Sequence, residues 1–374
     1  MLSKFLSVAL AASLVSAQTF TDCDPTKRDD CPNPKAVGSK IVEVDFRKGK
    51  HDFFEELPGT KLTYDDNLGA VFSIKQESNA PTISSGNKYI FFGQVDVTVR
   101  TAPGNGIVTS FVLQSDDLDE IDWEWLGGDN AQVQSNYFSK GCTEVYDRGA
   151  FHAVNDPIGT FHTYTIKWTP EQLDWIIDGA VVRTLVNTGV PGCSGYPQSP
   201  MQIKLGTWVA GRADAPQGTI DWAGGLPDWN QAPFNAYYQS LRIQDYMGAQ
   251  GATEATEYRY TDRSGTWQSI EVVNNGEKVE GKPSTTTSTT AKPTTSKSST
   301  SAPTTLSTVS SSIPSNTTTT SISRPATTAT PTETEDSNPD PTSPPQEVPT
   351  GAAGKLVGNL AAAGAAALVA FFAL

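Results

Sequence analysis

Between residues 40 and 273 the apolar side chains recur at every second position in short runs, each closed by Gly, Pro, Asn or Asp. In Phe92-Gly93-Gln94-Val95-Asp96-Val97-Thr98-Val99 the valines alternate with polar residues, so an extended chain there has one apolar and one polar face. The same period predicts strands over residues 107–113, 120–126, 132–138, 163–168, 173–177, 181–185, 202–207 and 238–243. Asp178-Gly179 reads as a two-residue hairpin turn between two of them. The one helical candidate is a turn at Thr169-Pro170-Glu171. Many short strands, without strand–helix alternation or internal repeat, predict an all-β fold. Two packed antiparallel sheets, a β-sandwich jelly roll, fit this better than a βα barrel or a propeller.

The alternation stops near Lys278, and no aromatic residue occurs between Trp267 and Phe371. A stretch that poor in large apolar groups cannot offset its chain entropy by burial. Residues 284–350 hold 37 Ser or Thr among 67 positions, with Pro interspersed, the composition of a disordered, O-glycosylated stalk. Its Asn316-Thr317-Thr318 is the one N-glycosylation sequon.

Both termini are apolar. Lys4, the run 5–15 and Val15-Ser16-Ala17 form a secretory signal over residues 1–17. Residues 360–374 are too short to span a bilayer comfortably and follow the small residues Gly351, Ala352, Ala353 and Gly354. This matches a glycosylphosphatidylinositol attachment signal at Gly351, Ala352 or Ala353. The expected organisation is a signal (1–17), a folded head (18–278), a stalk (279–350) and a removed anchor signal (351–374), in a secreted protein tethered to a membrane or wall.

The formal charge of -14, from 27 Lys+Arg against 41 Asp+Glu, and the lack of any basic run exclude a nucleic-acid surface. Cys23, Cys31, Cys142 and Cys193 lack metal-ligand spacing, and only three His are present. No cofactor or metal is expected, and a structural calcium ion is not indicated. Export permits disulfides, and of three possible pairings proximity favours Cys23–Cys31 and Cys142–Cys193.

Candidate chemistry concentrates in Asp119-Glu120-Ile121-Asp122-Trp123-Glu124-Trp125-Leu126-Gly127. On a strand, Glu120, Asp122 and Glu124 share one face, while Ile121, Trp123 and Trp125 face the core. Three like charges on one face repel unless protons are shared, so a plain solvated surface strand is a poor account. Glycoside chemistry uses such a set: one Glu attacks the anomeric carbon, another protonates the leaving oxygen, and the Asp between them tunes both.

Asp119 to Gly127 resembles the Glu-x-Asp-x-Glu catalytic strand of glycoside hydrolase family 16, and Gln132 to Phe138 its paired strand. Within that family the chain is similar to fungal Crh-type cell-wall transglycosylases. The similar segments include Ser115 to Glu120, Phe161 to Ile166, Asp178 to Arg183, Gly218 to Gly225 and Ser264 to Ile270, together with the paired N-terminal cysteines. The resemblance implies a concanavalin-like jelly roll with a concave carbohydrate cleft, and the substrates chitin and β-glucan. It implies Glu120 as nucleophile, Asp122 as assistant and Glu124 as general acid/base. Gln134, Asn136 and Phe138 share a face, which by resemblance lines the cleft. Trp208 and Trp222 are expected to stack on sugar, with His162 as a further contact or a structural histidine, and Arg183 and Tyr146 as minor contacts. Trp123, Trp125, Trp168 and Trp175 fit core positions. The rival readings are an endo-β-glucanase or chitinase with the same triad, and a non-catalytic glucan-binding wall protein.

Overall fold

The computed structural model describes residues 21–142, 144, 147–248 and 255–279. The signal, the stalk with Asn316, Gly351, Ala352, Ala353 and Tyr146 lie outside the described residues. The strands of the two large sheets are, in chain order, β1 (Val42–Asp45), β2 (Glu55–Glu56), β3 (Thr63–Asp65), β4 (Gly69–Ile74), β5 (Thr82–Ser84), β6 (Gly93–Arg100), β7 (Ile107–Ser115), β8 (Glu120–Leu126), β9 (Gln132–Phe138), β10 (Ala150–Ala153), β11 (His162–Trp168), β12 (Gln172–Ile177), β13 (Ala180–Val186), β14 (Met201–Val209) and β15 (Phe234–Asp245).

A seven-stranded sheet runs β10-β9-β8-β7-β14-β5-β2 and an eight-stranded sheet β13-β12-β11-β6-β15-β4-β3, with β1 paired to β15. All their ladders are antiparallel. This is the expected jelly roll. A third, five-stranded sheet joins Lys35–Ala36, Lys88–Tyr89, Glu257–Tyr260, Ile270–Asn274 and Glu277–Lys278.

The core lies between the inner faces of the two large sheets. Val95, Val97 and Val99 of β6 are fully buried against Ile121, Trp123 and Trp125 of β8 and their neighbours. Tyr164 of β11 meets Trp123 and Trp125 edge-on at 5.6 and 4.6 Å. The indole N–H of Trp175 donates to the carbonyl of Asp122 at 3.1 Å. Each such ring removes about 150–250 Å² from water, so a one-residue slip of β8 would move its tryptophans out of the core and turn its carboxylates into it. Tyr238 of β15 crosses the core, its hydroxyl donating towards the carbonyls of Ser110 (β7) and Gly206 (β14), both at 2.8 Å.

Asp178 (φ 49°) and Gly179 (φ 83°) form the expected hairpin turn. Thr169-Pro170-Glu171 is a hairpin loop rather than a helical turn, because Thr169 N–H pairs with the carbonyl of Gln172 at 2.9 Å. The α-helix among the described residues is α1 (Gln217–Trp222), too short to show as periodicity. β15 is longer than residues 238–243 because a bulge between Tyr238 and Ser240 breaks its alternation. Both disulfides have the favoured pairing, and Arg148 ties the second by donating to the carbonyls of Cys142 and Cys193.

Candidate active site

Strand β8 has no solvated face. Glu120, Asp122 and Glu124 are 1, 2 and 3 % exposed although they point away from the core. They form the floor of the site, and the ladders place their neighbours. Across β8–β9 the pairs are Glu120 with Phe138, Asp122 with Asn136 and Glu124 with Gln134; across β7–β8 they are Glu120 with Gln114, Asp122 with Val112 and Glu124 with Ser110. Directly opposed residues share a sheet face, so the expected trio Gln134, Asn136 and Phe138 does lie beside the carboxylates.

Segment 217–225 covers the Glu124 end. The indole N–H of Trp222 donates to Gln134 Oε1 at 3.1 Å, and its ring stacks on Trp208, with centroids 6.3 Å apart. Beneath them Val108, Val112, Ala210 and Ala223 form a small apolar cluster separate from the main core. The segment docks through backbone: Gly106 N–H donates to the carbonyl of Ala223 at 2.7 Å. A Cβ on Gly211 would stand 2.1 Å from the carbonyl oxygen of Gly225, so glycine is required there.

The other end of β8 is fixed by charge. Lys140 Nζ donates to Asp117 Oδ2 (2.8 Å), Asp119 Oδ2 (2.6 Å) and Ser199 Oγ (2.6 Å). Asp119 also accepts from the backbone N–H groups of Lys140 and Gln198. Burial disfavours the Lys140 ammonium, but the two carboxylates outweigh it and raise its pKa.

The floor contrasts with this satisfied clamp. Both carboxylate oxygens of Asp122, Glu124 Oε1, Ser110 Oγ, Gln134 Nε2 and Gln114 Nε2 are buried and hydrogen-bond to no group among the described residues. Burial raises Glu124 well above the usual carboxylate range, and the Asp122 and Glu120 charges add to this. Burial raises Asp122 likewise, helped by Glu120 and opposed by Arg183. Glu124 is thereby biased towards its protonated form, as a general acid requires. Concentrated unsatisfied polar atoms, costly in a merely structural region, mark a surface shaped for polar ligand groups.

Several expected contacts take other places. His162 lies on β11 of the opposite sheet, held between Asp178 Oδ2 (2.7 Å) and the carbonyl of Asn155 (2.8 Å). It is a structural histidine, because the face it shares with Tyr164 and Ile166 points into the sandwich. Trp208 is 2 % exposed and supports Trp222 rather than offering a face of its own. Arg183 lies over the ring of Trp175 (4.5 Å) and donates to the carbonyls of Ser135 and Arg148, which makes it a tie between sheets. Asn136 Oδ1 accepts from the next backbone N–H. Phe138 is buried under the Arg148 guanidinium, 5.0 Å from its ring centroid.

Lys204 was missed by sequence reasoning. It faces Val112 across β7–β14 and its ammonium donates to Gln114 Oε1, beside Glu120. Burial lowers its pKa to about 8, against the fields of Glu120, Asp116 and Asp22. The alternation of residues 202–207 put Gln202 and Lys204 on one face; which sheet that face belongs to depends on long-range strand order. Cys142, Glu144 and Cys193 cluster closely enough to suggest metal ligands, but both sulfurs are consumed in the disulfide, so the set does not fit a metal.

Residues 50–224 match the family model of the glycosyl hydrolases family 16. Crh-like protein 5 of Aspergillus fumigatus is 45% identical over 269 residues, 71% of this chain and 66% of that protein. Crh-like protein 4 of Botryotinia fuckeliana is 45% identical over 272 residues, 72% and 69% of the two chains. The chain thus spans about two thirds of the length of these relatives. Among solved structures, a Crh5 transglycosylase in complex with NAG superposes with a TM-score of 0.62 at 45% identity, covering 67% of this chain and all of that one. The chain belongs to glycosyl hydrolases family 16 and, within it, to the Crh-like proteins.

Proposed function

We propose that the protein is a retaining transglycosylase that cleaves β-1,4-linked N-acetylglucosamine chains of chitin and transfers them to β-glucan or chitin. The observation that carries this reading is the buried face of β8, where Glu120, Asp122 and Glu124 lie together and Asp122 and Glu124 are shifted towards the protonated form. Glu120 attacks the anomeric carbon as the glycosidic C–O bond breaks, and Glu124 gives its proton to the departing oxygen. The glycosyl ester is then opened by an incoming sugar hydroxyl, whose proton returns to Glu124. Water in place of that hydroxyl gives hydrolysis. Transfer is supported by the similarity to a Crh5 transglycosylase.

The same reading places the head outside the cell. The signal at 1–17, the Ser/Thr-rich stalk and the attachment signal with Gly351, Ala352 or Ala353 support a glycosylphosphatidylinositol-anchored glycoprotein at the plasma membrane and wall. The purified protein, incubated with chitin oligosaccharides and fluorescent laminarin oligosaccharides, should yield labelled hybrid chains. Reducing ends released without any hybrid would instead establish a hydrolase, and binding without turnover a lectin.

A further inference from the structure

Most of the outer face of the seven-stranded sheet is buried, but the edge strand β10 carries an exposed aromatic. Phe151 is 58 % exposed. It stands directly opposite Gln134 across β9–β10, and Gln134 stands directly opposite Glu124 across β8–β9. Phe151, Gln134 and Glu124 therefore form one row on one face. Adjacent strands are about 4.8 Å apart, so the Phe151 backbone lies about 10 Å from that of Glu124, beyond the ring being cleaved. Its neighbour on the same face of β10 is the small Ala153, also exposed, so nothing on that strand screens the ring. The other exposed large apolar residues, among them Val181, Val186, Leu226 and Trp229, lie outside this sheet.

From this row we infer that Phe151 is a specificity-determining residue, an aromatic platform for a distal pyranose ring of the polysaccharide leaving the floor across β9 and β10. The inference rests on the transglycosylase reading for the identity of the chain. The apolar C–H face of a β-linked glucosyl or N-acetylglucosaminyl ring covers the phenyl ring, while Gln134 and Glu124 take the polar edge nearer the reaction. Such a contact discriminates by chain length, because a short saccharide held at the floor does not reach it.

The test compares Glu120→Gln with Glu120→Gln/Phe151→Ala by calorimetry, using chitin and laminarin saccharides of two and six units, with turnover of the parent followed in parallel. Affinity for one of the hexasaccharides should fall about fivefold more than affinity for the matching disaccharide, the scale of one aromatic contact. Phe151→Trp should restore it, and the affected sugar identifies which polysaccharide occupies this side. Equal losses for short and long saccharides, or none, would overturn the inference. Absence of turnover by the parent would count against the transglycosylase reading alone, since the binding comparison is read independently.

Discussion

Lys140 Nζ stands 2.6 Å from Asp119 Oδ2, one residue before Glu120, so the strand bearing the carboxylates begins at a buried ion pair. Asp117 and Asp119 are 1 and 0 % exposed, and Lys140 is the cation that neutralises both. Lys140→Met would leave two buried carboxylates uncompensated, at a cost of about 3–5 kcal/mol. Urea unfolding should show this as a lower midpoint. Transfer activity should fall as well, because Glu120 follows directly from the clamp.

Glu124→Gln should separate stability from activity. A carboxyl whose pKa is raised on folding contributes stability below its unfolded pKa and loses it as pH rises through the folded value. The parent therefore carries a growing penalty at Glu124 towards alkaline pH, and the neutral amide does not. The variant should be inactive, yet more stable than the parent at pH 8 by about 1 kcal/mol, a rise of about 2–4 °C in Tm. Scanning calorimetry at pH 4 and pH 8 checks this, and the gap should close at the lower value.

Asp122→Asn should move the alkaline limb of the pH–rate profile. Glu124 is raised first by burial, then by the Asp122 charge, then by Glu120. Removing the Asp122 charge lowers the pKa of Glu124, so the general acid is lost at a lower pH. In kcat/KM measured from pH 4 to 9, the falling limb of the variant should lie acid to that of the parent. A shift in the opposite direction would contradict the assignment of Glu124 as the acid.

Lys204 offers a second pH test. Its ammonium faces Glu120, Asp116 and Asp22, and burial brings its pKa to about 8. Lys204→Met should lower kcat/KM about tenfold where the parent lysine is charged, the effect of ~1.4 kcal/mol on the barrier. Above pH 8 the parent loses the same charge, so the two profiles should converge. A ratio constant from pH 5 to 9 would show that Lys204 acts by packing alone.

How far these relationships were legible in the sequence depended on their range. Alternation within β8 separated Glu120, Asp122 and Glu124 from Ile121, Trp123 and Trp125 without any knowledge of the fold, because strand geometry settles it locally. Gln134, Asn136 and Phe138 share the sheet face of the carboxylates because β9 follows β8 closely and pairs with it. For His162 the sequence left a sugar contact and a structural role open, and for Arg183 a minor contact, because the same alternation holds on both sheets and nothing local says which sheet β11 and β13 join. Lys204 needed the β7–β14 ladder, which joins residues about a hundred positions apart. Trp208 was read as a sugar platform because its residue type suits both stacking and packing, and only α1 laid over it separates the two.

The hydroxyl of Tyr238 bonds to the backbone of β7 at Ser110 and of β14 at Gly206, directly below the row that contains Glu124. It bolts the floor of the site to the opposite sheet from beneath. Two strands of the floor, β7 and β14, are thereby tied to the opposite sheet at the level of Glu124. Above the floor, α1 holds Trp222 through its bond to Gln134, its stack on Trp208, the small apolar cluster and a backbone seat at Gly106 and Gly211. The floor is thus braced from beneath by the core, while the wall above it is a separately seated segment.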